Sequence, residues 1–301
     1  MLEALPYDEW EPTKTTLHLW CQIVGKVALR SSALRNHWWN ATLRLTARGV
    51  RTERLTAGGR AFDVELDLVS HRAIVRCGDA GDAVSFSLHD GLSVADFYAA
   101  LRAALASFEI VVPIVAKPYG IAGLTTPFGQ DQEHRSYDEV MVGRFWNTLR
   151  WSADVFERFA VEFVGKQGPV QLFWHGFDLA LGRYSGRRAN GPAPADPVAR
   201  EAYSHEVIAF GFWPGDANVR AAAYYTYTAP EPPSLTSFPL QPEGAAWGVA
   251  GSGHLGTVPY DVIRGANDPA AALLTFLRSG YDAGIRAAAW DTSALERTDA
   301  S

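Results

Sequence analysis

Cysteine is scarce. Only Cys21 and Cys77 occur in 301 residues. They form no CxxC pair and could not staple a chain of this length, so no disulfide framework organises the fold, and the usage is that of a reducing compartment. Hydrophobic runs are short as well. None approaches the ~20 residues that cross a bilayer, and the opening MLEALPYDEWEP is acidic and broken by proline, unlike a secretory signal. These features predict a soluble, cytoplasmic protein with no membrane partner. Basic residues form no long run and the net charge is −6. The concentrated positive patch that nucleic acid requires is missing, which argues against nucleic acid as a partner. Standard catalytic signatures are absent too: there is no GxSxG, HExxH or GxxxxGK[ST], and no GxGxxG placed after a strand. Hydrolase-elbow, zincin and P-loop readings fall with them, leaving only a site assembled from distant segments.

What is present is an ordinary globular composition, 48% hydrophobic and 20% charged, with an unusual ten tryptophans. The length suits one domain, 1–301, or two halves, 1–120 and 121–301. Residues 15–29 alternate, with Leu17, Leu19, Cys21 and Ile23 on one side and Thr16, His18, Trp20 and Gln22 on the other, and predict a strand. Residues 36–48, 60–69, 73–77 and 84–89 continue the pattern as an antiparallel meander, its charges pairing across strands. His18, Trp20 and Trp38 fall on its polar face, where large aromatics are unusual. Ser93 with Asp96, and Ser136 with Glu139, read as capping boxes for two helices. Residues 109–116 read as a short apolar strand. Strands follow over 170–181 with a break at Gly176, over 204–213, and over 221–228 with Tyr225 and Tyr227 on one face. A bulge at Gly176 would put His175 and Asp178 on one side. Residues 187–197 read as a loop or flap, and 230–260 as a Pro/Gly-rich region without clear structure. Asp268 caps a last helix with Pro269 at its first position. The order predicts an α+β fold, mainly antiparallel sheet (an N-terminal meander plus C-terminal strands) packed by three main helices.

The runs WEPTKTTLHLWCQIVGK from Trp10, NHWWNATLRLTARG from Asn36, FWHGFDLALGRYSGR from Phe173 and REAYSHEVIAFGFWPG from Arg200 resemble an uncharacterised bacterial family, DUF5996. The resemblance spans about 10–290. Gly182 stands where that family more often has Thr, and residues 208–210 replace a Ser-rich triplet. It implies an intracellular bacterial protein with a full-length fold, and carries over no activity.

Residues 169–215 concentrate histidine, acid, arginine and aromatic side chains among strand formers, the composition of a lined pocket. Three chemistries fit. His175, Asp178, His205 and Glu206, with His18, Asp131 or His134, are donor types for a divalent metal, the one cofactor suggested. Adjacent His205 and Glu206 point to opposite faces of a strand, so at most one serves a given site. In an acid–base site, His175 or His205 would be the acid or base, Asp178 or Glu201 its orienting carboxylate, and Tyr203 a phenolic donor. Arg183 and Arg187 would then grip an anionic substrate. Against this stands an Arg–Asp network bracing the sheet. Ser185 and Ser204 could act as nucleophiles only beside a base. The third chemistry is binding alone, with Trp20, Trp38, Trp174, Trp213, Tyr225 and Tyr227 walling a cavity, or else simply filling the core. The sequence expectation is an enzyme acting on a small anionic molecule by acid–base or metal-assisted chemistry, its pocket formed by 173–187 and 200–213. The alternative is a non-catalytic small-molecule binding protein with an aromatic-walled cavity.

Overall fold

A buried helix, where the alternation predicts a strand, begins the chain. In the computed structural model, which describes residues 2–78, 82–190 and 196–297, α1 spans Tyr7–Ser31. Trp10, Leu17, Trp20, Val24 and Val27 are all buried, as are Leu19, Cys21 and Ile23. A helix covered on nearly every side carries no polar stripe wide enough to reveal its period, so the apolar positions fit a period of 2 as well as 3.6. Asp8 and Glu9 in the first turn and Arg30 in the last complement the helix dipole. Pro12 removes one amide, and the carbonyl oxygens of Glu11 and Pro12 accept from the Thr15 and Thr16 hydroxyls at 2.9 and 3.0 Å. Residues 36–48 are not a strand either. Asn36–Trp38 is a single 3-10 turn with His37 and Trp38 at φ 58° and 62°, and Asn40 pins it by accepting from the Arg35 amide at 3.1 Å.

The chain divides into two compact units. The N-terminal unit is Leu5–Asn147 with Gln171–Asp178. Its sheet comprises β1 (Arg44–Leu45), β2 (Gly49–Arg51), β3 (Leu55–Ala57), β4 (Arg60–Asp67), β5 (Arg72–Cys77) and β6 (Asp82–Ser87). The order is β1-β2-β4-β5-β6, with β3 also pairing β4, all antiparallel. The expected cross-strand charges are there: Arg76 meets Asp63 at 3.0 Å and also Glu65, and Arg48 meets Asp67 at 2.6 Å. Helix α2 (Val94–Ala106) packs on α1 and β5. Its start is the predicted one, the Asp96 amide donating to Ser93 Oγ at 3.0 Å. Residues 109–116 form no strand: Glu109 lies in a turn at φ 59°, and 110–116 join no sheet among the described residues.

Helix α3 (Glu139–Ala160) starts from Asp138, whose Oδ1 accepts from the amides of Val140 and Met141 at 2.8 and 3.1 Å. Ser136 is therefore not its cap. The boundary between the units falls inside α3. Strand β7 (Gln171–Phe173) belongs to the N-terminal unit, where Leu172 and Leu43 exchange backbone hydrogen bonds of 2.9 and 3.0 Å.

The C-terminal unit is Met1–Ala4, Thr148–Val170 and Leu179–Ser301. It carries β8 (Asp178–Arg188, all but its first residue), α4 (Pro197–Ala202), β9 (His205–Trp213) and β10 (Ala223–Ala229). Then come β11 (Ala246–Ala250), β12 (Gly253–Pro259), α5 (Tyr260–Arg264) and α6 (Pro269–Ala287). The sheet runs β11-β12-β10-β9-β8, again antiparallel. β11 and β12 lie in the stretch the sequence leaves unstructured. Counting α1, the long helices number four rather than three. Residues 191–195 of the expected flap lie outside the described residues.

Helix α6 lies close on the sheet because Gly280 and Gly284 face Thr226, Thr228 and Ile208. A Cβ on Gly284 would come within 2.5 Å of Ile208 Cδ1, and one on Gly280 within 2.7 Å of Thr226 Cγ2. The Thr226 and Thr228 hydroxyls are sealed under the helix without a hydrogen-bond partner among the described residues. Gly284→Ala should therefore lower unfolding free energy by about 1–3 kcal/mol through overpacking. Thr226→Val, which removes an unpaired hydroxyl at constant shape, should raise it by about 1 kcal/mol. Urea unfolding of the two variants measures both, and a destabilised Thr226→Val would contradict the packing described.

Candidate functional site

Helical geometry turns four scattered polar residues of α1 into one line. Lys14, His18, Gln22 and Lys26 recur every four residues and so share a face, yet they are only 7, 6, 0 and 9% exposed. His18 Nε2 lies 2.8 Å from the Trp174 carbonyl oxygen and 3.1 Å from that of His175. Carbonyls only accept, so this nitrogen carries the proton. Gln22 clamps the backbone of Tyr119, its Nε2 donating to the carbonyl at 2.8 Å and its Oε1 accepting from the amide at 2.9 Å. The His18 ring lies flat on Phe177, centroids 4.8 Å apart, and Phe177 in turn contacts Phe145 at 5.1 Å. That double contact holds Phe177 at φ 60°, a costly conformation for a bulky residue. Burial, reinforced by Lys14, pushes the His18 pKa down to about 3.

Trp174–Phe177 is a turn, closed by the Phe177 amide donating to the Phe173 carbonyl at 2.8 Å. The strand thus breaks here, as expected at Gly176, by a full turn and not by a one-residue bulge. The Trp174 indole rests on α1 at Gly25, where a Cβ would come within 2.1 Å of the ring. Its Nε1 donates to the Ala41 carbonyl at 2.7 Å. His175 stacks back on this indole, centroids 4.6 Å apart, with Tyr119 edge-on at 6.2 Å. Lys26 Nζ stands 5.7 Å from the indole centroid. Among the described residues Lys26 makes no ion pair and no hydrogen bond, although its tip is not sealed from solvent. Its pKa is lowered by burial first and then by the Lys117 charge. The His175 ring nitrogens likewise make no hydrogen bond and stay open to solvent. Burial, then Lys26, brings the His175 pKa down to about 4. His18, Trp174 and His175 are thus gathered by α1 and one turn. Trp20 is core, stacked between Phe97 and Tyr137 at 5.1 and 5.3 Å. Asp178 closes the turn, its Oδ1 lying over Gly176.

The other candidates belong to the C-terminal unit. His205 Nδ1 is 3.1 Å from Ser204 Oγ, while the Ser204 hydroxyl donates to the Glu201 carbonyl at 3.0 Å. The serine oxygen thus accepts from the imidazole, the reverse of an activated nucleophile. The His205 pKa is lowered by burial, then by Lys166 and Arg188. Glu206 accepts from Ser185 at 2.9 Å and from Arg187 at 2.8 Å. Arg187 also donates to the carbonyls of Ala288 and Ala289 at 2.9 and 3.3 Å, tying β8 and β9 to the end of α6. Arg183 is 1% exposed. Its guanidinium carbon lies 3.5 Å from the Phe159 ring centroid and 4.5 Å from that of Tyr281. It donates to Gln167 at 3.3 Å and to the Phe159 carbonyl, and burial lowers its pKa to about 10. Tyr203 meets Tyr227 hydroxyl to hydroxyl at 3.3 Å, and Tyr227 stacks on Tyr225 at 6.1 Å. Trp213, half-buried, ends β9 opposite Ala223.

Among the described residues no three His, Cys, Asp or Glu side chains come together as metal ligands. Asp131 and His134 form an isolated pair at 2.8 Å. A groove of about 630 Å³ along α2 and residues 110–114 contains none of the candidates. The sequence reading passed over Lys14, Lys26 and the role of Gln22. The signal was the four-residue spacing about His18, legible only once 7–31 is read as helix.

A family model described as a family of unknown function (DUF5996) matches residues 2–297, and the chain belongs to that family. No curated protein and no solved structure matches it. No helix among the described residues is long and apolar enough to cross a membrane.

Two imidazoles of the N-terminal unit, His18 and His175, sit below their ordinary value of 6.5. The unfolded chain therefore takes up protons that the folded one refuses. Their stabilisation is complete above pH 6.5 and is lost as pH falls toward 4 for His175 and 3 for His18, at about 1.4 kcal/mol per pH unit for each. His18→Gln should flatten the stability curve between pH 6 and 4 by one histidine's share. Identical slopes in denaturant titrations of the two proteins would refute the assignment.

Proposed function

We propose that the protein binds a small anionic molecule at the Lys26–Trp174–His175 site, as a binding protein and not as an acid–base enzyme. The observation that carries this reading is Lys26: a lysine 9% exposed, its ammonium set against an indole face, without a carboxylate partner among the described residues. An uncompensated buried charge costs several kcal/mol, and a ligand anion is the counter-charge that would offset it. Lys117, close enough to depress the Lys26 pKa, adds a second positive charge. Neutral His175 offers a ring N–H donor, and His175 and Tyr119 supply flat surface for a planar ligand body.

Magnitude decides against catalysis by these histidines. A general base works best with a pKa near the operating pH, and imidazoles at about 4 and about 3 are poor proton acceptors near neutrality. In the C-terminal unit the bonds made by Arg187, Glu206 and Arg183 account for them as braces. That favours the structural alternative for those residues.

The reading has a two-sided signature. Replacing a lone buried cation by an apolar side chain of similar volume should stabilise, so Lys26→Met should unfold at a free energy higher by about 1–3 kcal/mol. The same variant should lose ligand response. Inorganic phosphate, acetate and succinate are the first probes, read by thermal shift and calorimetry at low and high salt. At least one should stabilise the wild-type protein, more weakly at high salt, and leave Lys26→Met unmoved. A Lys26→Met protein that is less stable, or that responds to the same anion equally, would overturn the proposal.

A further inference from the structure

We propose that Lys26 is a covalent ligand as well as an electrostatic one, forming an imine with an anion that also carries an aldehyde or ketone, such as a 2-oxo acid. This rests on the anion-binding reading and specifies its ligand class. The geometry supplies the parts. Lys26 is 9% exposed with Nζ over the Trp174 ring, and among the described residues its tip makes no hydrogen bond and is open to solvent, so the amine is confined yet reachable. Lys117 stands near enough to disfavour a second ammonium, and burial acts in the same direction, so the free-amine form is promoted. The same Lys117 is the cation available to the ligand's carboxylate once Lys26 has been consumed. Among the described residues nothing acidic pairs with Lys26 to hold it as an ammonium. His175, stacked on the same indole, is near enough for the Lys26 charge to lower its pKa.

The step balances without an oxidant or reductant. The lone pair of neutral Lys26 Nζ attacks the carbonyl carbon, and the C=O π electrons pass to oxygen, which is protonated to give a carbinolamine. Loss of that oxygen as water, with the remaining N–H proton leaving to solvent, yields the C=N bond. The net change is amine plus carbonyl to imine plus one water.

The chain has just four lysines, Lys14, Lys26, Lys117 and Lys166, so the adduct can be mapped directly. The wild-type protein is incubated near neutral pH with limiting glyoxylate and sodium cyanoborohydride, whose hydride reduces any imine to a stable secondary amine, and modified peptides are quantified by mass spectrometry. Lys26 should be labelled several-fold faster than exposed Lys117 and half-buried Lys166. Lys117→Ala should slow Lys26 labelling, and Lys26→Arg should leave the other lysines at their wild-type rates. Labelling of Lys117 or Lys166 at least as fast as Lys26 would overturn the imine. Glycolate, which has the carboxylate but no carbonyl, separates the two proposals. If glycolate binds in a Lys26-dependent manner while glyoxylate is not trapped there, the imine fails and anion binding stands. If neither binds, the underlying reading fails as well.

Discussion

The close approach of Trp174 to Gly25 is the contact on which the candidate site depends. With no Cβ at Gly25 the indole reaches the axis of α1, and its N–H is then in range of the Ala41 carbonyl. That contact fixes the Trp174–Phe177 turn. The turn presents two carbonyls to His18, which must keep its proton on Nε2 to satisfy them. The imidazole of His175 and the ammonium of Lys26 are then positioned by the same indole, one stacked on it and the other beside it. A side chain at Gly25 larger than hydrogen would displace all of these groups together.

Legibility from sequence followed exposure. β5 and β10 were readable because buried and half-exposed residues alternate along each, and β4 because Asp63, Glu65 and Asp67 alternate with apolar residues. Likewise Ser93 and Asp268 marked helix starts because a cap is a local bond between neighbours in sequence. Helix α1 was not readable, because burial on nearly every side removes the polar stripe that separates period 3.6 from period 2. Its misreading as a strand placed His18, Gln22 and Lys26 together on a wet sheet face and hid their burial. β11 and β12 were missed for another reason. Their turn and strand residues, rich in Gly and Ala, lack the β-branched density that strand recognition leans on.

The candidate list met the same limit. Segment 173–187 looked like one continuous lining, but the chain turns at 174–177, and His175 and Arg183 belong to different compact units. Alternation along a strand says which side a residue faces. It does not say whether that side is core, as for Arg183, or open, as for His175.

Two buried cations show why similar burial carries different meaning. Arg183 is encased by the Phe159 and Tyr281 rings and donates to a carbonyl and an amide oxygen, so its planar guanidinium has partners on its faces and its edge. It needs nothing from outside. Lys26 has the opposite chemistry, a compact, strongly hydrated ammonium that one indole face cannot satisfy and that Lys117 repels. In a chain with only four lysines among its 27 basic residues, arginine would have been the better structural cation at such a position. What lysine offers that arginine does not is an amine able to lose its proton, and that property has a use only where something other than the protein meets it.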